Sequence, residues 1–130
     1  MRILIADDDA DDRTLAEIAL KELKCDYALE FAYDGEELLE KLTEKVKRRN
    51  PLPDLVILDL NMPKKDGRVA LKEIKSDPTL RDIDVVIFST SNSNTDKNYV
   101  MELGAKYYAV KPSEYAELVD FFRNLCEEAV

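Results

Sequence analysis

The sequence predicts an α/β domain: a doubly wound, five-stranded parallel sheet with helices on both faces. Three observations predict it. Short apolar runs alternate with segments whose apolar residues recur at helical spacing. The runs are mostly continuous, as strands buried on both faces require. Right-handed crossovers between parallel strands then place the intervening helices on both sides.

Each element has its own justification. "ILIA" at 3–6 is a buried strand, and Leu15, Ile18, Ala19 and Leu23 repeat at helix spacing after it. "YALEFA" at 27–32 alternates, which suits a strand nearer an edge. Leu38, Leu39, Leu42 and Val46 mark a second helix, stopped by "NPLP". "LVIL" at 55–58 is the third strand. Val69, Ala70 and Ile74 lie on a shorter helix ending near "SDP". "VVIF" at 85–88 is the fourth strand; Tyr99, Val100 and Leu103 follow on a helix that Gly104 stops. "YYAV" at 107–110 is the fifth strand, and after Pro112 a last helix turns Leu118, Val119, Phe122 and Leu125 inward. No repeat, linker or low-complexity segment interrupts the pattern, so residues 1–130 read as one domain with no fused output domain.

Composition narrows the function. Apolar residues are 45% of the chain, enough for a packed core. No apolar run approaches the ~18 residues that span a bilayer, and "MRILIADDD" lacks the features of a secretory signal. A cytoplasmic location is expected, with no membrane partner. The formal net charge of −9 repels nucleic acid. The one dense basic run, "EKVKRRN" at 44–50, reads as the exposed end of an amphipathic helix. There is no histidine, which excludes Ser-His-Asp and Cys-His catalysis and histidine-ligated metals. Three scattered glycines, Gly35, Gly67 and Gly104, cannot build a P-loop or dinucleotide fingerprint. Gly67 is expected to serve a turn before the third helix. Cys25 and Cys126 lack metal-ligand spacing and read as reduced, partly buried small hydrophobes; a disulfide between them is compatible with sequence.

The polar residues carry the chemistry. Asp7 and Asp8 follow the first strand, Asp59 the third, Ser89 and Thr90 the fourth, Lys111 and Pro112 the fifth. In a parallel sheet these ends share one rim, where open α/β sheets bind ligands. Three converging carboxylates must either raise their pKa values or surround a cation. An oxygen-only cluster suits a hard ion such as Mg²⁺, completed by phosphate oxygens that Lys111 and Ser89 can hold. One carboxylate is then a phosphoryl acceptor.

The acidic pair Asp7-Asp8, "DLNMPKKDG" around Asp59, "FSTS" at 88–91 and "YAVKP" at 108–112 together resemble the receiver domain of two-component response regulators. The resemblance covers essentially the whole chain. It implies the flavodoxin-like strand order 2-1-3-4-5, with Asp59 as the phosphorylated residue. It also implies Asp8 as a direct metal ligand, Asp7 as its partner through water, and the Asn61 backbone carbonyl as a further ligand. Ser89 is similar to the hydroxyl that bonds the phosphoryl group, and Lys111 to its ion-pair partner. The Lys111–Pro112 bond is implied to be cis, and Tyr108 to be the aromatic residue that changes rotamer on activation. "DDDADDR", "IKSDPTLRDI" and "VVIFSTS" further resemble stand-alone receivers associated with bacterial phytochromes, although Asp84 stands where many of that group have proline.

Blander readings compete at several positions. Asp9, Asp11 and Asp12 are accounted for as acids at a helix N-terminus and stay outside the site. Thr90 reads as a turn former and Tyr107 as a packing aromatic. An EF-hand starting at Asp7 fails because Asp12 and Ile18 stand where glycine and glutamate are needed. A phosphatase of the aspartyl-phosphate type needs an acid two residues after the nucleophile, and Asn61 cannot exchange protons. The expected function is therefore a single-domain response regulator, not an enzyme in the ordinary sense. It would take a phosphoryl group from a histidine kinase or phosphotransfer protein and be read by contact with another protein or a second copy of itself. The alternative is a receiver-like interaction module that works without phosphorylation.

Overall fold

The computed structural model describes residues 1–128; Ala129 and Val130, the last two of the expected 1–130 domain, lie outside the described residues. The elements run β1 (Arg2–Ala6), α1 (Ala10–Leu23), β2 (Ala28–Ala32), α2 (Gly35–Arg48), β3 (Leu55–Leu58), α3 (Gly67–Ser76), β4 (Asp84–Ser89), α4 (Asn94–Leu103), β5 (Tyr107–Val110) and α5 (Tyr115–Glu128). All strands pair in parallel in the order β2-β1-β3-β4-β5, as expected.

Alternation along each strand splits the core in two. Leu4, Val56, Leu58, Val85 and Ile87 face α2, α3 and α4, whose Leu38, Leu42, Leu71, Ile74 and Val100 cover them. Ile3, Ile5, Ile57, Val86 and Phe88 face α1 and α5, where Ala19, Leu20, Phe122 and Leu125 pack. Phe88 stacks on Phe121, ring centroids 4.2 Å apart, and meets Phe122 edge-on. Phe122 is fully buried; truncating such a ring to alanine costs about 3–5 kcal/mol.

The helices start and stop where their caps dictate. Asp9, Asp34, Asp66 and Ser93 cap α1 to α4 by accepting from backbone N–H groups of the first turn. Gly104 ends α4 at φ 108°, the left-handed conformation that glycine adopts at least cost. The basic run closes α2: Lys45 pairs with Glu30 at 2.6 Å, and Arg48 with Glu44.

Helix phase departs from expectation in three places. On α1 the buried stripe is Ala16, Ala19 and Leu20, while Leu15 and Ile18 are exposed. On α3 Val69 is exposed and Ala70, Leu71 and Ile74 are buried. On α4 Tyr99 is exposed and Val100 alone is fully buried. In each case a ~100° apolar stripe fits more than one phase. Contact with the neighbouring helix selects the residues that close-pack. Another expectation fails outright: no peptide bond among the described residues is cis, so Lys111–Pro112 is trans. A proline bond favours trans by only about 0.5–1 kcal/mol, so the surrounding fold readily decides it.

Candidate functional site

The backbone holds the site by extending the sheet one residue past each strand. The Asp7 amide donates to the Ala32 carbonyl at 3.0 Å, the Asp59 amide to Ala6 at 3.0 Å, and the Lys111 amide to Ser89 at 2.8 Å. Each functional residue is thus fastened to the end of a neighbouring strand. Charged groups sit in a well-packed rim because their own N–H groups are the last rungs of the ladder.

Lys111 is the centre. Its ammonium donates to Asp7 Oδ2 at 2.7 Å, Asp12 Oδ2 at 2.8 Å and Asp59 Oδ2 at 3.1 Å. Asp7 and Asp59 are buried and Asp8 is exposed. Burial pushes the Asp7 carboxyl above the usual carboxylate range, and the Asp59 charge adds to this. Lys111 and the Asp9 amide pull the other way without cancelling it. Lys111 titrates above its ordinary range: burial opposes its charge, but the Asp12 and Asp7 hydrogen bonds and the Asp59 charge prevail.

Asp12 is the residue that sequence reasoning missed. Its place near a helix start explains it as a cap-region acid, yet one turn of α1 brings its carboxylate onto Lys111. A signal did exist: an acid five residues after Asp7, on the first turn of a helix leaving the same rim, has the reach to return to it.

Asp7, Asp8 and Asp59 each offer a carboxylate oxygen within 4.8 Å of the other two. With Asp12 the rim holds four acids, three of them bonded to Lys111. That excess of negative charge fits a hard divalent cation, and the donors are all oxygen. Asp8, Asp12, Asp59, Asn61, Thr90 and Lys111 line the open cleft above the sheet. The Asn61 amide donates weakly to Asp59 Oδ1 at 3.3 Å.

The two hydroxyls at the end of β4 divide unexpectedly. Ser89 is fully buried, and its Oγ accepts from the Ser91 amide at 3.3 Å. Thr90 is exposed and lines the acidic cleft. Beyond them the loop is tied down. The Tyr108 hydroxyl donates to the Ser91 carbonyl at 2.7 Å, and the Ser91 hydroxyl donates to Asp96 at 2.8 Å. Arg68 grips Asp96 with two hydrogen bonds of 2.8 and 2.7 Å while also holding Asp66. A continuous path of bonds therefore joins the β4–α4 loop, α3, α4 and the half-buried Tyr108. Tyr107 packs as expected against the α1–α5 side of the core, and burial pushes its hydroxyl up to about 12.

Gly67 has a different task from the turn expected of it. A Cβ there would lie 2.2 Å from the Asp59 carbonyl oxygen and 2.8 Å from the Leu60 Cα. The Gly67 amide donates to the Leu60 carbonyl at 2.9 Å. Glycine is needed because the start of α3 presses against the backbone that carries Asp59.

Comparison with known proteins agrees with this architecture. The response regulator receiver domain family matches residues 3–123. Response regulator Rcp1 of Synechocystis sp. is 38% identical over 124 residues, covering 95% of this chain and 84% of that protein. The structure of the phosphorylated cyanobacterial phytochrome response regulator RcpA superposes with a TM-score of 0.88 at 35% identity, covering 97% of this chain and 91% of that one. The Mn²⁺-bound form of Rcp1 superposes with a TM-score of 0.83 at 32% identity, covering 95% and 90%. Several longer relatives also match, and the chain spans less than half of them. Among the described residues no helix is long and apolar enough to cross a membrane. A parallel sheet of this order, an acidic rim built on a ladder-anchored lysine, and a family match across nearly the whole chain lead to one conclusion: the protein belongs to the response regulator receiver domain family.

Proposed function

We propose that this chain is a response regulator receiver whose Asp59 accepts a phosphoryl group from the phosphohistidine of a kinase or phosphotransfer protein. The supporting observation is Lys111 held between Asp7, Asp12 and Asp59 beside an acidic cleft. Residues 1–130 contain no histidine, so the donor imidazole lies outside them. One Asp59 carboxylate oxygen attacks phosphorus as the phosphorus–nitrogen bond breaks, leaving an acyl phosphate on this chain.

Asp7, Asp8 and Asp59, with the Asn61 backbone carbonyl, would hold Mg²⁺, which when bound supplies charge neutralisation for the incoming phosphoryl oxygens. The residues do the rest. Asp59 gains about one further negative charge. Lys111 exchanges part of its carboxylate contacts for phosphoryl oxygens. Ser89 gives up the Ser91 amide and turns its hydroxyl to the phosphoryl group. That movement loosens the loop held by Tyr108, Ser91 and Asp96, and phosphorylation shifts the ratio of two existing arrangements. Readout is by contact with another protein or a second copy of the chain. The phosphorylated and Mn²⁺-bound forms of the related proteins support the same chemistry here.

The test is direct. The chain is incubated with Mg²⁺ and a small acyl-phosphate donor, or with a phosphorylated kinase, and intact mass is read. Wild type should gain about 80 Da, one phosphoryl group, and Asp59→Asn should gain nothing. An unmodified wild type after both donors would instead support a receiver-like module that works without phosphorylation.

A further inference from the structure

Two residues unused by the acidic rim meet at the opposite end of the molecule. Cys25 lies just after the α1 cap Lys24, and Cys126 lies in the last turns of α5, about a hundred residues later. The fold brings them into one cleft, which Met1, Leu23 and Arg123 also line. Both cysteines are free and half-buried. They share the wall of that cleft, and burial first, then the nearby Cys25 thiol, pushes the Cys126 thiol up. The α1–α5 pairing beneath them is close, so the juxtaposition belongs to the packed side of the fold.

We propose that Cys25 and Cys126 form a reversible redox pair, closed to an intramolecular disulfide by a peroxide-class oxidant and reopened by a dithiol reductant. Cys25 is placed to react first, because it sits in irregular backbone between α1 and β2, whereas Cys126 is fixed on a helix. Its sulfur, as thiolate, attacks a peroxide oxygen. The oxygen–oxygen bond breaks, the departing hydroxide takes a proton to become water, and Cys25 becomes a sulfenic acid. The Cys126 sulfur then attacks the Cys25 sulfur. The sulfur–oxygen bond breaks, and hydroxide leaves with the Cys126 proton as a second water. Two thiols and one hydrogen peroxide give one disulfide and two waters, with two electrons passing from sulfur to oxygen.

Closure ties the far end of α5 to the segment leaving α1. It clamps the two helices that carry Lys111's following loop and Asp12. The inference stands apart from phosphoryl transfer, since neither cysteine touches the acidic rim.

The experiment uses the full chain under native conditions. After reduction and desalting it is treated with hydrogen peroxide, and free thiols, intact mass and melting are followed. The expected product is a monomer that has lost both thiols and about 2 Da. It should melt above the reduced chain, because a cross-link over about a hundred residues restricts the unfolded state. Dithiothreitol should restore the starting mass and melting point. Cys25→Ser and Cys126→Ser should each lose this product, and wild-type melting in reductant controls for damage by the substitutions. Separate sulfenic or sulfinic acids on the two cysteines, or disulfide-linked dimers as the main product, would overturn the proposal. So would persistence of both thiols under oxidant that consumes those of the unfolded chain.

Discussion

Lys111 Nζ lies 2.7 Å from Asp7 Oδ2, and both side chains are about nine-tenths buried. Even so, Asp7 titrates above the usual carboxylate range because burial outweighs the ammonium beside it. The folded chain therefore binds the Asp7 proton more tightly than the unfolded chain does. The stability Asp7 contributes is present in acid, below its unfolded pKa, and is lost as pH rises through its folded pKa. Without divalent metal, Asp7→Asn should melt above wild type at neutral pH, and the gap should close in acid. Melting curves with a chelator, taken from acid to neutral pH, check this. A variant that melts below wild type at neutral pH would show that the ion pair outweighs the burial.

Divalent metal should reverse the balance. Mg²⁺ at about a hundred times its dissociation constant stabilises by about 2.7 kcal/mol through mass action. Asp8 is the exposed member of the acidic cluster and has no hydrogen bond to Lys111. Asp8→Asn should therefore remove most of the metal-dependent gain and leave melting in chelator nearly unchanged. A full gain in the variant would remove Asp8 from the metal site.

The hydroxyls at the end of β4 rank by role. Ser89→Ala should slow phosphoryl uptake from an acyl-phosphate donor about tenfold, the loss of one hydrogen bond that forms only when the hydroxyl turns to the phosphoryl group. Thr90→Val should change it less than about twofold, since Thr90 is exposed and lines the cleft. Time courses of the phosphorylated mass decide between them; the opposite ranking would give the role to Thr90.

The loop network should be separable from the acidic rim. Arg68→Ala breaks a two-pronged grip on Asp96 and should cost about 1–3 kcal/mol in urea unfolding. Tyr108→Phe deletes only the bond to the Ser91 carbonyl and should cost about 0.5–1.5 kcal/mol. Neither should change Mg²⁺ affinity more than about twofold, because neither residue touches a carboxylate of the rim. Titration of metal-dependent melting tests that independence.

Gly67→Ala should be severe. Its Cβ would strike the Asp59 carbonyl oxygen at 2.2 Å, so the start of α3 or the backbone at Asp59 must move. A loss of about 2–4 kcal/mol is expected, with slower phosphoryl uptake. Gly104→Ala serves as the contrast. It strains a left-handed cap at φ 108° for about 1 kcal/mol but leaves uptake unchanged. Equal uptake in both variants would separate Gly67 from the site.

Much of this molecule is legible without coordinates. Strands at 3–6, 55–58 and 85–88 announce themselves as unbroken apolar runs, and the polar residue after each marks the rim. Asp12 escaped because its local environment explained it fully; its second role depends on where Lys111 arrives from the far end of the chain. Leu15 and Ile18 misled because helical periodicity states that one face is apolar, not which neighbour covers it. Gly67 was read as a turn because a close approach of two backbones leaves no trace in either sequence segment.

The sequence by itself determined the parallel sheet and the order of polar residues at its strand ends. Those patterns repeat every two or 3.6 residues, so they act over a few neighbours at a time. Only the tertiary structure decided that Lys111 meets Asp12 as well as Asp7 and Asp59, that Lys111–Pro112 is trans, and that Cys25 and Cys126 line one cleft. Those outcomes depend on strand register and helix docking, which join residues about a hundred positions apart through close packing of both core layers.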